Sequence, residues 1–319
     1  MTAINRDVRA LIDAARKAGS PSFETQTPAQ ARVNYTATRL PLQPPPDPVA
    51  DSRDIAIPVP GGEVTLRVIR GAGTSADQAL PCLLFFHGGG WVVGDLGSHD
   101  GLCRRLALDA GCCVIAVDYR LAPEHPFPAA VDDCAAALRF VVDHAEALRV
   151  DTGRLAVGGD SAGGNLAAVI ALMARDGTLP PVAYQLLFYP AVDLSPIDPG
   201  FERTAPGMPL TLAGMRYFID HYIPDTAQRS DWRASPLRAP SLENVAPAFV
   251  LTCGHDPLCE EGRLYAARLE REGVAVTALH LSDQTHGILN MAKLIGAAPG
   301  VIAYAATLLL QAWRPTTSA

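Results

Sequence analysis

Five short apolar runs are the feature of this sequence that most constrains its fold. They occupy residues 82–86, 113–117, 155–157, 184–188 and 248–253. Strands that are buried on both faces have this composition, because helices cover both sides of a parallel sheet. Helical patterns lie between the runs, for example over residues 129–144 and 165–175. The alternation predicts βαβ units and an α/β fold with a mostly parallel, doubly wound sheet.

The two ends of the chain and one long insertion complete the predicted architecture. The first twenty residues have the apolar spacing of an amphipathic helix, and a Pro-rich connector follows at residues 41–48. Two strands, at 54–59 and 63–70, then flank a Pro-Gly-Gly turn. Residues 194–235 are too long for an ordinary connection between strands and are predicted to form an active-site lid. The last unit is predicted as a helix, a strand and a helix, at residues 260–272, 274–281 and 299–312.

Composition and charge limit the classes of function. Of the 319 residues, 49% are hydrophobic, which is ample for a buried core, and the formal charge of −7 disfavours nucleic acids and anionic membranes. Seven cysteines without a CxxC pair suggest neither disulfides nor a zinc site, and therefore a reducing compartment. The N-terminus lacks the apolar core of a signal peptide, and the longest apolar stretch, 301–313, is too short to span a bilayer. We expect a soluble cytoplasmic protein.

The segment Gly159-Asp160-Ser161-Ala162-Gly163 predicts a nucleophilic serine. It follows the strand-like run 155–157 and opens a helical pattern, and its glycines permit a sharp strand-to-helix turn. A G-x-S-x-G match also arises by chance, and a serine in this place can simply cap the helix. The position between a buried strand and a helix favours the nucleophile.

The segment His87-Gly88-Gly89-Gly90-Trp91 predicts an oxyanion hole. It directly follows the first apolar run, at the carboxyl end of a predicted strand, where α/β proteins form their sites. Three consecutive glycines leave backbone N–H groups unobstructed, as a developing oxyanion requires. The spacing of a phosphate-binding loop is absent. A plain flexible loop remains the alternative.

Two acids and two histidines compete for the roles of orienting acid and general base. Asp256 follows the fifth apolar run and is preferred to Asp283, which lies too close to His286 to reach it from a separate loop. His280 falls within the predicted strand 274–281, whereas His286 lies in the loop after it. The order serine, Asp256, His286 is the one that a serine triad on an α/β sheet requires.

Together these motifs resemble the hormone-sensitive lipase family of α/β-hydrolases, the bacterial family IV carboxylesterases, over nearly the whole chain. The resemblance rests on residues 87–91 (HGGGW), 118–124 (DYRLAPE), 159–164 (GDSAGG), 256–258 (DPL) and 286–287 (HG). It implies an α/β-hydrolase core of residues 51–193 and 236–319. A helical cap would come from residues 1–50 and 194–235.

The resemblance also implies roles for individual residues. Ser161, Asp256 and His286 would form the catalytic triad. The oxyanion donors would be backbone N–H groups of Gly89, Gly90 and Ala162, with Gly88 adjoining them. His87 would order the glycine loop, and residues 118–124 would form a structural turn whose charged side chains pair with one another.

The activity implied by these residues is hydrolysis of short- to medium-chain carboxylic esters through an acyl-enzyme, without a metal or organic cofactor. Lipase, amidase and lactonase activities need the same triad and remain alternatives. A ligand-binding module without turnover, like the gibberellin receptor of this fold, is disfavoured because His286 is retained.

Two expectations concern partners and the lid. The expected partner is a small-molecule ester, with no nucleic acid or membrane, and strand 274–281 is a candidate homodimer edge. Apolar lid side chains are predicted either to line the substrate pocket or to belong to the core; they are Met208, Leu212, Met215, Phe218 and Tyr222.

Overall fold

The computed structural model describes residues 2–75, 77–195 and 207–314. Its helices are α1 (Arg6–Ala18), α2 (Pro28–Arg39), α3 (Leu96–Asp109), α4 (Ala129–Asp143), α5 (Ala145–Leu148), α6 (Ala162–Arg175), α7 (Leu212–Tyr222), α8 (Cys259–Arg271) and α9 (Ala298–Ala312). Its strands are β1 (Asp51–Val59), β2 (Gly62–Arg70), β3 (Leu80–Phe86), β4 (Cys113–Asp118), β5 (Val150–Asp160), β6 (Tyr184–Phe188), β7 (Ala248–His255) and β8 (Val276–Thr285).

The strands of the described residues form one sheet in the order β1-β2-β4-β3-β5-β6-β7-β8. Strand β2 runs antiparallel to β1 and to β4, and every other neighbouring pair is parallel. The prediction of a mostly parallel α/β sheet is therefore confirmed. The five apolar runs lie in β3 to β7, and the predicted edge position of the last strand is observed for β8.

Helices cover both faces of the sheet, as continuous apolar strands require. Along β3, Leu84 and Phe86 belong to one hydrophobic cluster, whereas Leu83 and Phe85 belong to the other. Apolar residues of α4, α6 and α8 pack in the first cluster, and those of α3 and α9 pack in the second. Because each buried Phe or Leu contributes about 1.5–3 kcal/mol, this alternation fixes the register of the central strands.

Three helices lie on the side where the parallel strands end at their carboxyl termini: α1, α2 and α7, which we call the cap helices. The predicted first helix is confirmed as α1, and its apolar face buries Val8, Leu11 and Ile12. Helix α2 is not predicted by the apolar pattern, because Ala31 is its one buried residue. Part of the predicted lid, residues 196–206, lies outside the described residues.

The turn at residues 118–124 corrects one expectation. Its charged side chains do not pair with one another. Arg120 binds the buried carboxylate of Asp133 in α4, and Glu124 binds Arg32 in α2. The turn thus joins the sheet to two helices, because its side chains point outward toward different elements. Within the described ranges, no helix is long and apolar enough to cross a membrane.

Candidate active site

Ser161 lies at the junction of β5 and α6 with a strained backbone. Its φ of 57° and ψ of −117° place it at the N-cap of α6, and its N–H donates to the Phe188 carbonyl at 2.9 Å. The flanking glycines are required for space. A Cβ at Gly163 would lie 1.9 Å from the Phe86 carbonyl oxygen, and one at Gly159 would lie 2.4 Å from the same oxygen. This packing holds the Ser161 hydroxyl at the carboxyl edge of the sheet.

His286 and Asp256 lie in line with Ser161. His286 Nε2 is 2.9 Å from Ser161 Oγ, and His286 Nδ1 is 2.7 Å from Asp256 Oδ2. Asp256 follows β7 directly and is 1% exposed, and His286 follows β8. The structure therefore brings together the three side chains that the sequence singled out, each from the end of a different strand.

The two rival residues point elsewhere. Asp283 accepts a hydrogen bond from the Asn5 amide at 2.8 Å, so its carboxylate serves the N-terminal segment. His280 lies within β8, and its Nδ1 is 2.9 Å from the Thr252 hydroxyl.

Three backbone N–H groups at the site are free to bind a ligand oxygen. Gly89, Gly90 and Ala162 line the same cavity as Ser161, and within the described ranges no group accepts from their N–H groups. Gly88 differs from this set. Its N–H donates to Asp160 Oδ1 at 2.9 Å, so Gly88 anchors the loop and does not offer a donor to a ligand. Gly88, included with the expected oxyanion hole as a residue that adjoins the donors, therefore adds no N–H donor of its own.

A buried polar network supports the glycine loop. Asp160 accepts from Gly88 N–H, and His99 Nε2 lies 3.1 Å from its carboxylate. Burial by itself raises the pKa of Asp160, but His99 and the Gly88 N–H hold it below its usual value. The Asn290 amide lies 2.8 Å from His99 Nε2 and 3.3 Å from Asp160 Oδ2. A negative charge is thereby kept beneath the loop, where it fixes the loop's orientation.

His87 is part of the same support. Its ring stacks on Tyr119 at 4.3 Å, and the Tyr119 hydroxyl donates to the His87 carbonyl at 2.7 Å. Burial, with the neighbouring His99, lowers the pKa of His87 to about 4. An imidazole that stays neutral near pH 7 and packs in this way orders the loop, as the resemblance implied.

Two cavities that share lining residues lie beside Ser161 and among the cap helices. The inner cavity, of about 50 Å³, is lined by Ser161, His286 and the glycine loop. The outer cavity, of about 690 Å³, lies among the cap helices, and we call it the vestibule. Both cavities are lined by the same four residues, Phe23, Tyr35, Arg39 and Pro209. These four residues lie where the two cavities adjoin, a position that we call the passage.

Four of the five predicted lid side chains line a cavity, and three of these four also belong to the hydrophobic core. Met215 and Phe218 line the inner cavity, and Met208 and Leu212 line the vestibule. Tyr222 instead stacks on buried Trp91 at 4.4 Å and belongs to the core. The residues that sequence reasoning missed are Phe23, Tyr35, Arg39, His99 and Asn290. They come from distant segments and carry no local motif.

The arrangement can perform acyl transfer. A hydroxyl in contact with an imidazole, an imidazole in contact with a carboxylate, and free N–H donors beside the hydroxyl are the parts that such chemistry uses. Within the described ranges, no group of three or more His, Cys, Asp or Glu side chains is arranged to hold a metal ion.

Comparisons with known proteins agree with this geometry. Residues 83–290 match a family described as having the alpha/beta hydrolase fold. The chain is 43% identical over 252 residues to the carboxylic ester hydrolase LipN of Mycobacterium tuberculosis. The matched region covers 77% of this chain and 66% of LipN, just under two thirds of its length. It is 42% identical to an ethyl acetate hydrolase of Pseudomonas putida, covering 74% of each. A hyperthermophilic esterase of the archaeon Pyrobaculum calidifontis superposes with a TM-score of 0.91 at 36% identity, covering 97% of this chain and 99% of that one.

Proposed function

Because this chain belongs to the α/β-hydrolase family, within its hormone-sensitive lipase branch of carboxylesterases, we propose that Ser161, His286 and Asp256 are its catalytic triad. The observation that carries the proposal is the pair of contacts joining them, at 2.9 Å and 2.7 Å. A serine hydroxyl is a weak nucleophile, and such a chain of hydrogen bonds is how hydrolases activate it.

The proposed reaction has two steps. The Ser161 hydroxyl donates to His286 Nε2, which removes its proton as the oxygen attacks the ester carbonyl carbon. His286 then gives this proton to the alcohol oxygen as the acyl–oxygen bond breaks, leaving an acyl-enzyme. Water, deprotonated by His286, attacks the acyl-enzyme; the acyl–Oγ bond then breaks, His286 returns the proton to Ser161 Oγ, and the acid is released. Asp256 accepts from His286 Nδ1–H throughout and stabilises the imidazolium.

We propose that the N–H groups of Gly89, Gly90 and Ala162 bind the carbonyl oxygen as it becomes negative. They line the cavity with Ser161 and have no other acceptor within the described ranges. Ala162 begins α6, so the positive end of that helix dipole adds to the stabilisation.

The size of the inner cavity favours esters with a short acyl group. A volume of about 50 Å³ accommodates only a few water-sized groups. A relative at 42% identity is named for hydrolysis of ethyl acetate, which agrees with this preference. A series of p-nitrophenyl esters of increasing acyl length tests it, with highest kcat/KM expected at the short end. Highest kcat/KM at long chains would indicate a lipase.

We also propose the division into a core, residues 51–193 and 236–319, and a cap, residues 1–50 and 194–235. The described part of the cap supports this because α1, α2 and α7 enclose the vestibule. The exposed edge of β8 makes homodimerisation through that strand a further proposal, which light scattering tests.

Replacement of Ser161 by Ala tests the triad directly. We expect kcat for p-nitrophenyl butyrate to fall by at least about 10⁴-fold, because no other group forms the acyl-enzyme. Ser52→Ala, on the exposed face of β1, is the matched control and should retain full activity. Unchanged turnover in Ser161→Ala would remove this residue from the proposed role.

A further inference from the structure

Arg39 stands where the two cavities meet. It is the last residue of α2, is half-buried, and lines both the inner cavity and the vestibule. Its guanidinium lies 3.3 Å from Met291 Sδ and 5.6 Å from the centre of the Tyr35 ring. A group that extends from the inner cavity into the vestibule therefore lies beside this cation.

The charge of Arg39 is not neutralised by the protein. Within the described ranges, no carboxylate lies at ion-pair distance from it, whereas Arg32 binds one carboxylate and Arg67 binds two. Burial raises the pKa of Tyr35, so the phenol beside Arg39 stays neutral. A partly desolvated guanidinium facing a sulfur and a ring is stabilised when an anion reaches it.

The carboxylates that line the two cavities do not compete for this position. Asp160 is held by the Gly88 N–H and His99 beneath the glycine loop. Glu24 lines the vestibule but is exposed, so water screens its charge. Arg39 is therefore the dominant charge at the passage.

The sizes of the two cavities indicate which part of an ester lies beside Arg39, since the inner cavity measures about 50 Å³ and the vestibule about 690 Å³. Met291, which contacts Arg39, lies in the short 3₁₀ helix Ile288–Met291, and Gly287 separates that helix from His286. In the proposed reaction His286 gives its proton to the alcohol oxygen, so the alcohol part lies on the His286 side of the ester. The acyl group then occupies the small inner cavity, and the alcohol part extends past Arg39 into the vestibule.

We propose that Arg39 is a specificity-determining residue that binds a carboxylate carried by the alcohol part of the ester substrate. This inference rests on the proposed function. Its substrate class is the short-chain acyl esters of hydroxy acids, with the hydroxyl acylated and the carboxyl group free. Arg39 offers a planar pair of N–H donors that matches a carboxylate.

A matched pair of esters tests the inference. Para-acetoxybenzoate and para-acetoxybenzamide have the same acyl group and nearly the same shape, but only the first carries a negative charge. The quantity measured is the ratio of their kcat/KM values, compared between enzymes so that the intrinsic reactivity of each ester cancels. The variants are Arg39→Gln, which removes the positive charge, and Arg39→Lys, which keeps it. Arg216→Gln, an exposed arginine of α7 that lines neither cavity, is the matched control.

We expect Arg39→Gln to lower the preference for the charged ester by about tenfold or more, the effect of losing one charge-assisted contact. Turnover of the neutral amide should fall less than turnover of the charged ester, because Arg39 acts on the carboxylate. Arg39→Lys should keep part of the preference, and Arg216→Gln all of it. Para-hydroxybenzoate should also inhibit the wild-type enzyme more strongly than para-hydroxybenzamide.

Three results would overturn the inference. A preference that survives Arg39→Gln shows that the carboxylate is not bound there. An equal loss for both esters shows that Arg39 only holds α2 against the segment that follows His286. A similar change in Arg216→Gln shows a general effect of charge. Failure of the proposed function is a separate result, because Ser161→Ala would then still hydrolyse the neutral ester.

Discussion

Replacing Asp256 with Asn tests the contact between Asp256 and His286, which the replacement of Ser161 leaves untested. Asp256 uses both carboxylate oxygens: Oδ1 accepts from Leu258 N–H at 2.9 Å, and Oδ2 lies 2.7 Å from His286 Nδ1. Asparagine has one oxygen. If that oxygen stays on Leu258 N–H, the side-chain NH₂ must face His286, whose Nδ1 then has to accept a hydrogen bond.

The consequence for catalysis follows from the tautomer. With Nδ1 as an acceptor, the imidazole proton resides on Nε2 and points at Ser161 Oγ, 2.9 Å away. His286 then has no lone pair to remove the serine proton, and no carboxylate stabilises the imidazolium. Substitutions of this kind in serine hydrolases with the same triad lower kcat by about 10⁴-fold, equal to about 5 kcal/mol of transition-state stabilisation. We expect a loss of that size here, with little change in KM.

The assay is steady-state hydrolysis of p-nitrophenyl acetate, with far-UV circular dichroism to confirm folding. Asp283→Asn is the matched control, because Asp283 is the rival acid and its carboxylate binds Asn5. We expect that variant to stay within about threefold of wild-type activity, as for a residue outside the transition-state contacts. A loss in Asp256→Asn of less than about tenfold, or an equal loss in Asp283→Asn, would refute the assignment.

Two further predictions concern stability. Gly163→Ala should destabilise the fold by more than about 3 kcal/mol, or prevent folding, because its Cβ would lie 1.9 Å from the Phe86 carbonyl oxygen. The measurement is thermal unfolding. Gly300→Ala in α9 is the control and should be neutral or stabilising, because the space around Gly300 is open. Glu261 accepts a hydrogen bond from Val192 N–H, and burial raises its pKa to about 8. Between the ordinary glutamate pKa and pH 8, the folded state therefore binds a proton that the unfolded state has lost. The free energy of unfolding should accordingly fall as pH rises through this range. Glu261→Gln should therefore raise Tm more at about pH 8.5 than at about pH 5.5, and an equal difference at both would contradict the linkage.

The central sheet could be predicted from the sequence because burial leaves a local signal there. The run 184–188 coincides with β6, since both faces of that strand are covered. The last strand is less well predicted: it was expected at 274–281 and is observed at Val276–Thr285. Its side chains alternate between partly exposed and exposed positions for most of its length, so no apolar run marks its end.

The rest of the site could not be predicted because it is assembled from distant segments. Three side chains from different parts of the chain meet beneath the glycine loop, those of His99, Asp160 and Asn290. Helix α2 carries no apolar stripe, because part of its surface lines a cavity instead of the core. The three residues of the proposed triad could be predicted from the sequence because each follows a strand and their order along the chain is diagnostic.

The contact between the two parts of the cap has a consequence for engineering this enzyme. Phe23, from the N-terminal segment, and Phe218, from α7, meet with ring centres 4.8 Å apart, and Phe218 occupies the space that a side chain at Gly90 would need. A chimera that exchanges only one of these segments with the corresponding segment of a relative loses the packing contact between the two rings. The two segments should therefore be transplanted as a pair, and a library that varies residue 23 should vary residue 218 with it.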